Sequence, residues 1–146
     1  MSRYWEEFEV GARYPTYTRT LTEGDVSLFC AFVGYHVPLF IDEEYAKKTR
    51  YGGRIVPSSM IMAVSTGMTE SLFRTTVVAQ LGLDNARFLK PVRIGDTITT
   101  TVEVVSVRET SNPAHGLVVF RDHVTNQRGE EVYHADKPAL IARRTA

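Results

Sequence analysis

The sequence predicts an α+β domain in which an antiparallel sheet packs on one buried helix. Three observations predict it. Helical periodicity is confined to residues 22–72, period-two alternation takes over from residue 77, and the helix-spaced run from Met60 to Leu72 is apolar or small on nearly every turn. Runs of helix and strand that are segregated place the helices on one face of a sheet. A chain of 146 residues, 43% hydrophobic and 23% charged, can bury one such core, so residues 1–146 are read as a single domain.

Each element has its own local signal. The Thr- and Tyr-rich run from Tyr14 to Thr20, interrupted early by Pro15, reads as a short edge strand. Thr22-Glu23-Gly24-Asp25 has the form of a capping box, with Val26, Phe29, Cys30 and Val33 at helical spacing behind it and Gly34 placed to end the helix. Asp42 to Thr49 carries its acids first and its lysines last, as a helix dipole favours, and Asp42 is placed to cap that helix. Tyr51-Gly52-Gly53 is a loop. Met60, Ala63, Val64, Gly67, Met68, Ser71 and Leu72 then mark one long helix. Gly67 costs that helix stability, which a close approach of backbone would explain.

The strands follow. Val77 to Leu81 and Leu83 to Leu89 are short runs, and Thr97 to Val107 alternates cleanly. The turn formers from Ser111 to Gly116 join it to Leu117–Thr125 as a hairpin. Asn126-Gln127-Arg128-Gly129 turns into a last run, Glu131 to Arg143, where Pro138 predicts an edge or a bulge.

Composition excludes several classes of function. Seventeen basic residues balance seventeen acidic ones with no cluster longer than a pair, so nucleic acid, which needs a concentrated positive field, is not the expected partner. No apolar run approaches a membrane span or a signal-peptide core, and a cytoplasmic location is expected by default. Cys30 is the only cysteine. It lies among Leu28, Phe29 and Phe32 and reads as a buried, inert thiol. His134 near Asp136 lacks a third ligand at metal spacing, and no metal is implied. His115 falls in a hairpin turn and His123 on the polar face of a strand.

Five short motifs carry a resemblance over almost the whole chain: Thr22-Glu23-Gly24-Asp25-Val26; Gly34 through Asp42-Glu43-Glu44-Tyr45-Ala46; Gly52-Gly53-Arg54-Ile55-Val56; Arg87-Phe88-Leu89-Lys90-Pro91-Val92 with Gly95-Asp96-Thr97; and Asn126-Gln127-Arg128-Gly129-Glu130. In that order they resemble the MaoC-like hydratases and dehydratases, to which the (R)-specific enoyl-CoA hydratases of fatty acid metabolism belong. The resemblance implies a hot-dog fold, in which an antiparallel sheet wraps a long central helix, and a homodimer or higher homo-oligomer. It also implies an acyl-CoA thioester, as substrate or ligand, in a tunnel at the dimer interface, and no resident cofactor.

The family's catalytic loop reads Gly-Asp-x-Asn-Pro-x-His-x-Asp, in which the Asp and His add water across an enoyl thioester or remove it. Aligning Pro38 and Asp42 leaves no freedom of register. Tyr35 then takes the place of the catalytic Asp, Val37 that of the Asn and Phe40 that of the His. Phenylalanine cannot move a proton, and a phenol, with an ordinary pKa of about 10, is a poor base at neutral pH. Downstream, Pro57-Ser58 stands where the family has His-Gly, whose glycine amide polarises the thioester carbonyl. The Ser58 N–H at a helix N-terminus keeps that donor, while helix capping explains Ser58 and Ser59 equally well.

Tyr35, His36 and Ser58 are therefore the candidate catalytic residues. His36 precedes an extended residue before proline and should point away from the face that Tyr35 presents. Phe40, Pro57 and Ser59 are candidate substrate contacts, and Arg87 and Lys90 could meet the negative charges of CoA. Three functions compete: a hydratase or dehydratase with an altered set of groups, a non-catalytic acyl-thioester-binding subunit in a heteromer with a catalytically intact homologue, and a hot-dog thioesterase, which would want a carboxylate that the loop no longer offers.

Overall fold

A computed structural model describes residues 1–145. The capping box forms as the spacing requires: the Thr22 hydroxyl accepts the Asp25 N–H at 3.1 Å, and the Asp25 carboxylate accepts the Thr22 N–H at 2.9 Å. It opens α1 (Glu23–Val33), which Gly34 ends in the left-handed conformation at φ 69°, a region glycine enters without a Cβ penalty. α2 (Pro38–Ile41) is a single turn that the sequence did not announce, with Pro38 at its first position, where a missing N–H costs nothing. Asp42 closes α2 and caps α3 (Glu43–Lys47), its Oδ1 accepting the Tyr45 N–H at 2.9 Å.

The central helix, α4 (Ser58–Met68), is shorter than its periodicity suggests. Met68 is its last helical residue, and Ser71 and Leu72 belong to a separate 3₁₀ turn, Glu70–Leu72. Neither Ser58 nor Ser59 caps it. Pro57 occupies the N-cap and offers no side-chain bond, its carbonyl taking the Met60 and Ile61 N–H groups. Gly67 is not explained by crowding within the chain either, since a methyl group added there would meet nothing within 4 Å.

β1 (Arg13–Thr20) is the predicted edge strand, its register shifting between Pro15 and Thr18. It pairs with β4 (Thr97–Glu109), which pairs with β5 (His115–Thr125), and that with β6 (Glu131–Ala142). β2 (Val77–Gln80) and β3 (Asp84–Phe88) share the far side of β6, and every pairing is antiparallel. Pro138 is in neither of its predicted settings. It lies inside β6, paired with Val119 without a local register shift. It is tolerated because it faces residues 81–83, the break between β2 and β3, where its carbonyl accepts the Leu81 N–H at 2.8 Å.

One face of the sheet covers α4. Ile98, Val124, Tyr133 and Ala135 pack there against Val26, Cys30, Val56, Met60, Ile61 and Met68. A second apolar cluster, built on Val102, Val104, Val118, Phe120, Ala139 and Ile141, is closed by Phe8. Between the two runs a diagonal of buried polar residues, Thr100 on β4, Asp122 on β5 and Lys137 on β6. The Thr100 hydroxyl reaches the Ser65 carbonyl of α4 at 3.3 Å. Lys137 and Asp122 form an ion pair at 2.5 Å with side chains only 5% and 1% exposed.

Candidate active site

The loop between α1 and α3 is held by its own backbone. The Tyr35 N–H donates to the Cys30 carbonyl at 2.9 Å, Val37 is extended at ψ 125°, and the Phe40 N–H returns to the Val37 carbonyl at 2.9 Å. The α2 turn thus brings Tyr35 and Phe40 together, with ring centroids 5.3 Å apart and planes inclined at 43°. Phe40 packs on the main core while Tyr35 stays 41% exposed. His36 is exposed, and its backbone N–H donates to the Gly34 carbonyl. The two positions at which the resembled loop carries its proton-moving pair are neighbours in space here, filled by two aromatic rings.

Arg54 braces this loop against α1. Its guanidinium meets Glu43 and Glu23, each at 2.6 Å, and the hydrogen bond from Arg54 holds the Glu43 carboxyl below the usual carboxylate range. Gly53 lies close beside it: an added Cβ would sit 3.2 Å from Glu43 Oε1, so the carboxylate would have to give by a few tenths of an ångström.

At the N-terminus of α4 opens a cleft of about 500 Å³. Ser58 and Ile61 line it from the helix, Phe88, Leu89 and Lys90 from the end of β3, and Arg50, Tyr51 and Arg93 from the loops opposite. Ser58 and Ser59 are exposed and Pro57 is buried. The first N–H groups of a helix have no intrahelical acceptor, so the Ser58 end presents donors and the positive end of the helix dipole to the cleft.

Of the two basic candidates, only Lys90 lines this cleft, and it is engaged with Glu130. Glu130 also meets Arg128 at 2.7 Å, and Lys90 first and Arg128 second hold its carboxyl down at about 2. Arg87 lies outside the cleft, exposed, with its guanidinium on the Ala86 carbonyl at 2.9 Å. The cations that do line it without a carboxylate, Arg50 and Arg93, carry no sequence motif and are identified only by the cleft.

His134 does not pair with Asp136. Arg121 takes that carboxylate at 2.6 Å, with Asn85 adding a bond at 3.1 Å, and His134 faces Glu131 at 3.8 Å. His123 sits between Glu131 and Glu103, at 2.6 and 2.8 Å. Among the described residues no three His, Cys, Asp or Glu side chains gather in a way that could hold a metal ion. Cys30 is buried, and burial pushes its thiol above the ordinary value, away from the reactive thiolate.

The buried pair on the sheet was visible in the sequence only as alternation. Burial pushes the Asp122 carboxyl up despite the pull of Lys137, and Asp122 Oδ1 and the Tyr133 hydroxyl find no hydrogen-bond partner among the described residues. Tyr133 is pushed up to about 12 by burial and by the charge of Asp122.

Comparison with known proteins supplies the lineage of this arrangement. Mesaconyl-CoA hydratase of Cereibacter sphaeroides is 29% identical over 143 residues, 97% of this chain and 42% of that protein. The chain spans between 29% and 42% of the length of the first curated relatives it matches. A monoamine oxidase regulatory protein from Archaeoglobus superposes with a TM-score of 0.90 at 34% identity, over 99% of this chain and 97% of its own. A Mycobacterium tuberculosis protein with a double hot-dog fold superposes with a TM-score of 0.91 at 22% identity, over 98% of this chain and 45% of its own. The model of the MaoC like domain matches residues 7–126, from the N-terminal turn through all but the last strand. Sheet order, helix placement and that match agree: the chain is a hot-dog domain and belongs to the MaoC-like hydratase and dehydratase family.

Proposed function

We propose that this chain binds an acyl-CoA thioester at the N-terminus of α4 and does not by itself perform hydration, serving as the binding partner of a homologue that keeps the Asp and His. The contact between Tyr35 and Phe40 carries this reading. Hydration of an enoyl thioester needs a base to take a proton from water as its oxygen adds to the β-carbon, and an acid to return one to the α-carbon. Two aromatic rings in contact do neither. Carbonyl binding needs only N–H donors, and those of the α4 N-terminus, Ser58 first, are retained. Tyr35, Phe40, Pro57 and Ser59 do not line the cleft itself; in this reading Phe40 and Tyr35 wall the acyl group where it runs on past the cleft, with Pro57 and Ser59 at the helix end and His36 outside the reacting centre.

The test uses the purified chain. It is expected to bind butyryl-CoA, a saturated thioester that cannot be hydrated, while crotonyl-CoA is turned over at least ~100-fold more slowly than general acid–base assistance allows. Rapid hydration by the chain alone would refute the reading.

A second copy, or a homologue in its place, supplies the far wall of the site. Ser59, Ala63 and Gly67 recur every four residues on an exposed stripe of α4. Beside them Leu28, 72% exposed, and Phe32, 88% exposed, flank an apolar hollow of about 320 Å³ that reaches Val64. Small residues let another backbone come close, which gives Gly67 the purpose it lacks within one chain. Light scattering is expected to show a dimer at micromolar concentration; a monomer would remove this surface from the proposal. None of the described helices is long and apolar enough to cross a membrane.

A further inference from the structure

Resting on that acyl-thioester reading, we propose that Arg50 and Arg93, arranged by Tyr51, clasp the nucleotide phosphates of CoA and so select the carrier of the thioester. Both arginines line the cleft that Ser58 and Lys90 share. The Arg50 Nη2 donates to the Tyr51 hydroxyl at 2.8 Å, and its guanidinium carbon lies 4.9 Å from the centre of the Tyr51 ring. The Arg93 Nη1 donates to the Tyr51 backbone carbonyl at 2.6 Å. One residue therefore holds two guanidinium groups in one cleft.

Neither group has a carboxylate within ion-pair distance among the described residues. Arg13, Arg19, Arg54, Arg74, Arg121, Arg128, Arg143 and Arg144 each meet at least one, and the other arginines without one, Arg3, Arg87 and Arg108, lie outside the cleft. In a chain with no net charge, two unneutralised guanidinium groups on one cleft are a local concentration of positive charge. Each has five N–H donors in a planar fork, of which Tyr51 engages one, and the rest suit the oxygens of a phosphate.

Lys90, by contrast, already has its carboxylate partner in Glu130 and contributes little free charge. The aromatic content of the cleft agrees with a nucleotide. Phe88 stacks on buried Tyr133 with centroids 4.7 Å apart and planes inclined at only 17°, and it remains 43% exposed. It is a ring held by stacking and partly exposed in the cleft, the kind of side chain on which a base stacks. Phosphate-reading guanidinium groups beside a ring platform match the adenosine phosphate end of CoA. They have nothing to read on a bare pantetheine thioester.

Calorimetry on the full chain tests this with three probes: butyryl-CoA, S-butyryl-pantetheine and adenosine 3′,5′-bisphosphate. The wild type is expected to bind butyryl-CoA roughly tenfold or more tighter than butyryl-pantetheine, the scale of one or two charge-assisted bonds. In R50Q/R93Q that preference disappears, butyryl-pantetheine binding is unchanged, and the bisphosphate no longer binds. Tyr51→Phe keeps the ring and loses the hydroxyl that holds Arg50, so it gives an intermediate preference. Equal affinity of the wild type for the two thioesters, or a preference that survives in R50Q/R93Q, overturns the clasp, as does failure of all three probes to bind. Arginine-dependent binding of the bisphosphate and of butyryl-CoA with equal affinity, without binding of butyryl-pantetheine, leaves the clasp standing and overturns the acyl-thioester reading. Both arginines are exposed, and an unchanged melting temperature in the variants shows that the fold is intact.

Discussion

Replacing Tyr35 with Asp, Val37 with Asn and Phe40 with His in one chain is expected to raise crotonyl-CoA hydration by roughly 10²–10⁴-fold, the range that a positioned acid and base contribute. The backbone is already suited to it. Tyr35 and Phe40 face each other across the α2 turn at 5.3 Å, so the introduced carboxylate and imidazole arrive within reach of a shared water. Pro38 and Asp42, which set that turn, are untouched. Residues that act as a unit are strongly non-additive. Y35D or F40H alone is therefore expected to gain little, since a base without its partner cannot complete both proton transfers. Tyr35 is 41% exposed and tolerates a carboxylate. Phe40 packs on the core, so the triple variant loses some stability, which thermal melting will record. Steady-state rates with crotonyl-CoA decide the matter: a triple variant that still binds butyryl-CoA yet hydrates no faster than wild type shows that this loop does not face the thioester.

The second large effect concerns stability. Lys137→Met is expected to destabilise the fold by about 3–5 kcal/mol, because it strands the Asp122 carboxylate inside the core. The pair is 2.5 Å apart and nearly inaccessible, and Asp122 Oδ1 already lacks a partner. A loss of that size is a large share of the ~5–15 kcal/mol that holds an ordinary domain together. The pH dependence has a definite sign. Asp122 lies above its ordinary value in the folded chain because of burial, and removal of Lys137 raises it further. A carboxyl whose folded pKa is raised favours the folded state most where it is protonated in both states, below about pH 4. That advantage is lost as pH rises through the folded value. The deficit of K137M should therefore be smallest in acid and largest at neutral pH. Asp122→Leu with Lys137→Met together should recover most of the loss, since an apolar pair of similar volume avoids the desolvation cost. Urea unfolding of the three proteins at acid and neutral pH measures this. A K137M protein within about 1 kcal/mol of wild type at neutral pH would show that the pair is open to water.

Much of the fold was legible because its signals are local. The Thr22–Asp25 box, the Gly34 cap and the Asp42 cap each depend on residues within a few positions, and each forms as read. Period-two alternation likewise put Val118, Phe120 and Val124 on the buried face. The misreadings arose where a local pattern had more than one structural meaning. The apolar spacing from Met60 to Leu72 fits a continuous helix, yet the last turn is 3₁₀. A proline inside a strand fits an edge, but an interior strand accepts Pro138 because β2 and β3 leave a gap opposite it. Serines after Pro57 fit a cap, and the proline itself takes the N-cap place.

The sequence by itself determined the class of fold and the family, and Pro38 and Asp42 leave one register for the loop between them, which carries the proposal that Tyr35 and Phe40 stand in place of a proton-moving pair. The tertiary structure decided what surrounds that loop. It set the rings of Tyr35 and Phe40 against each other, separated Arg87 from the cleft, and brought Arg50 to the hydroxyl and Arg93 to the backbone carbonyl of Tyr51. It also joined Asp122 to Lys137, fifteen residues apart, through the register of β5 on β6. Spacing along the chain dictates caps, turns and the face a residue shows. Which faces meet depends on strand register and on the packing of distant segments, and these are settled only when the whole core closes.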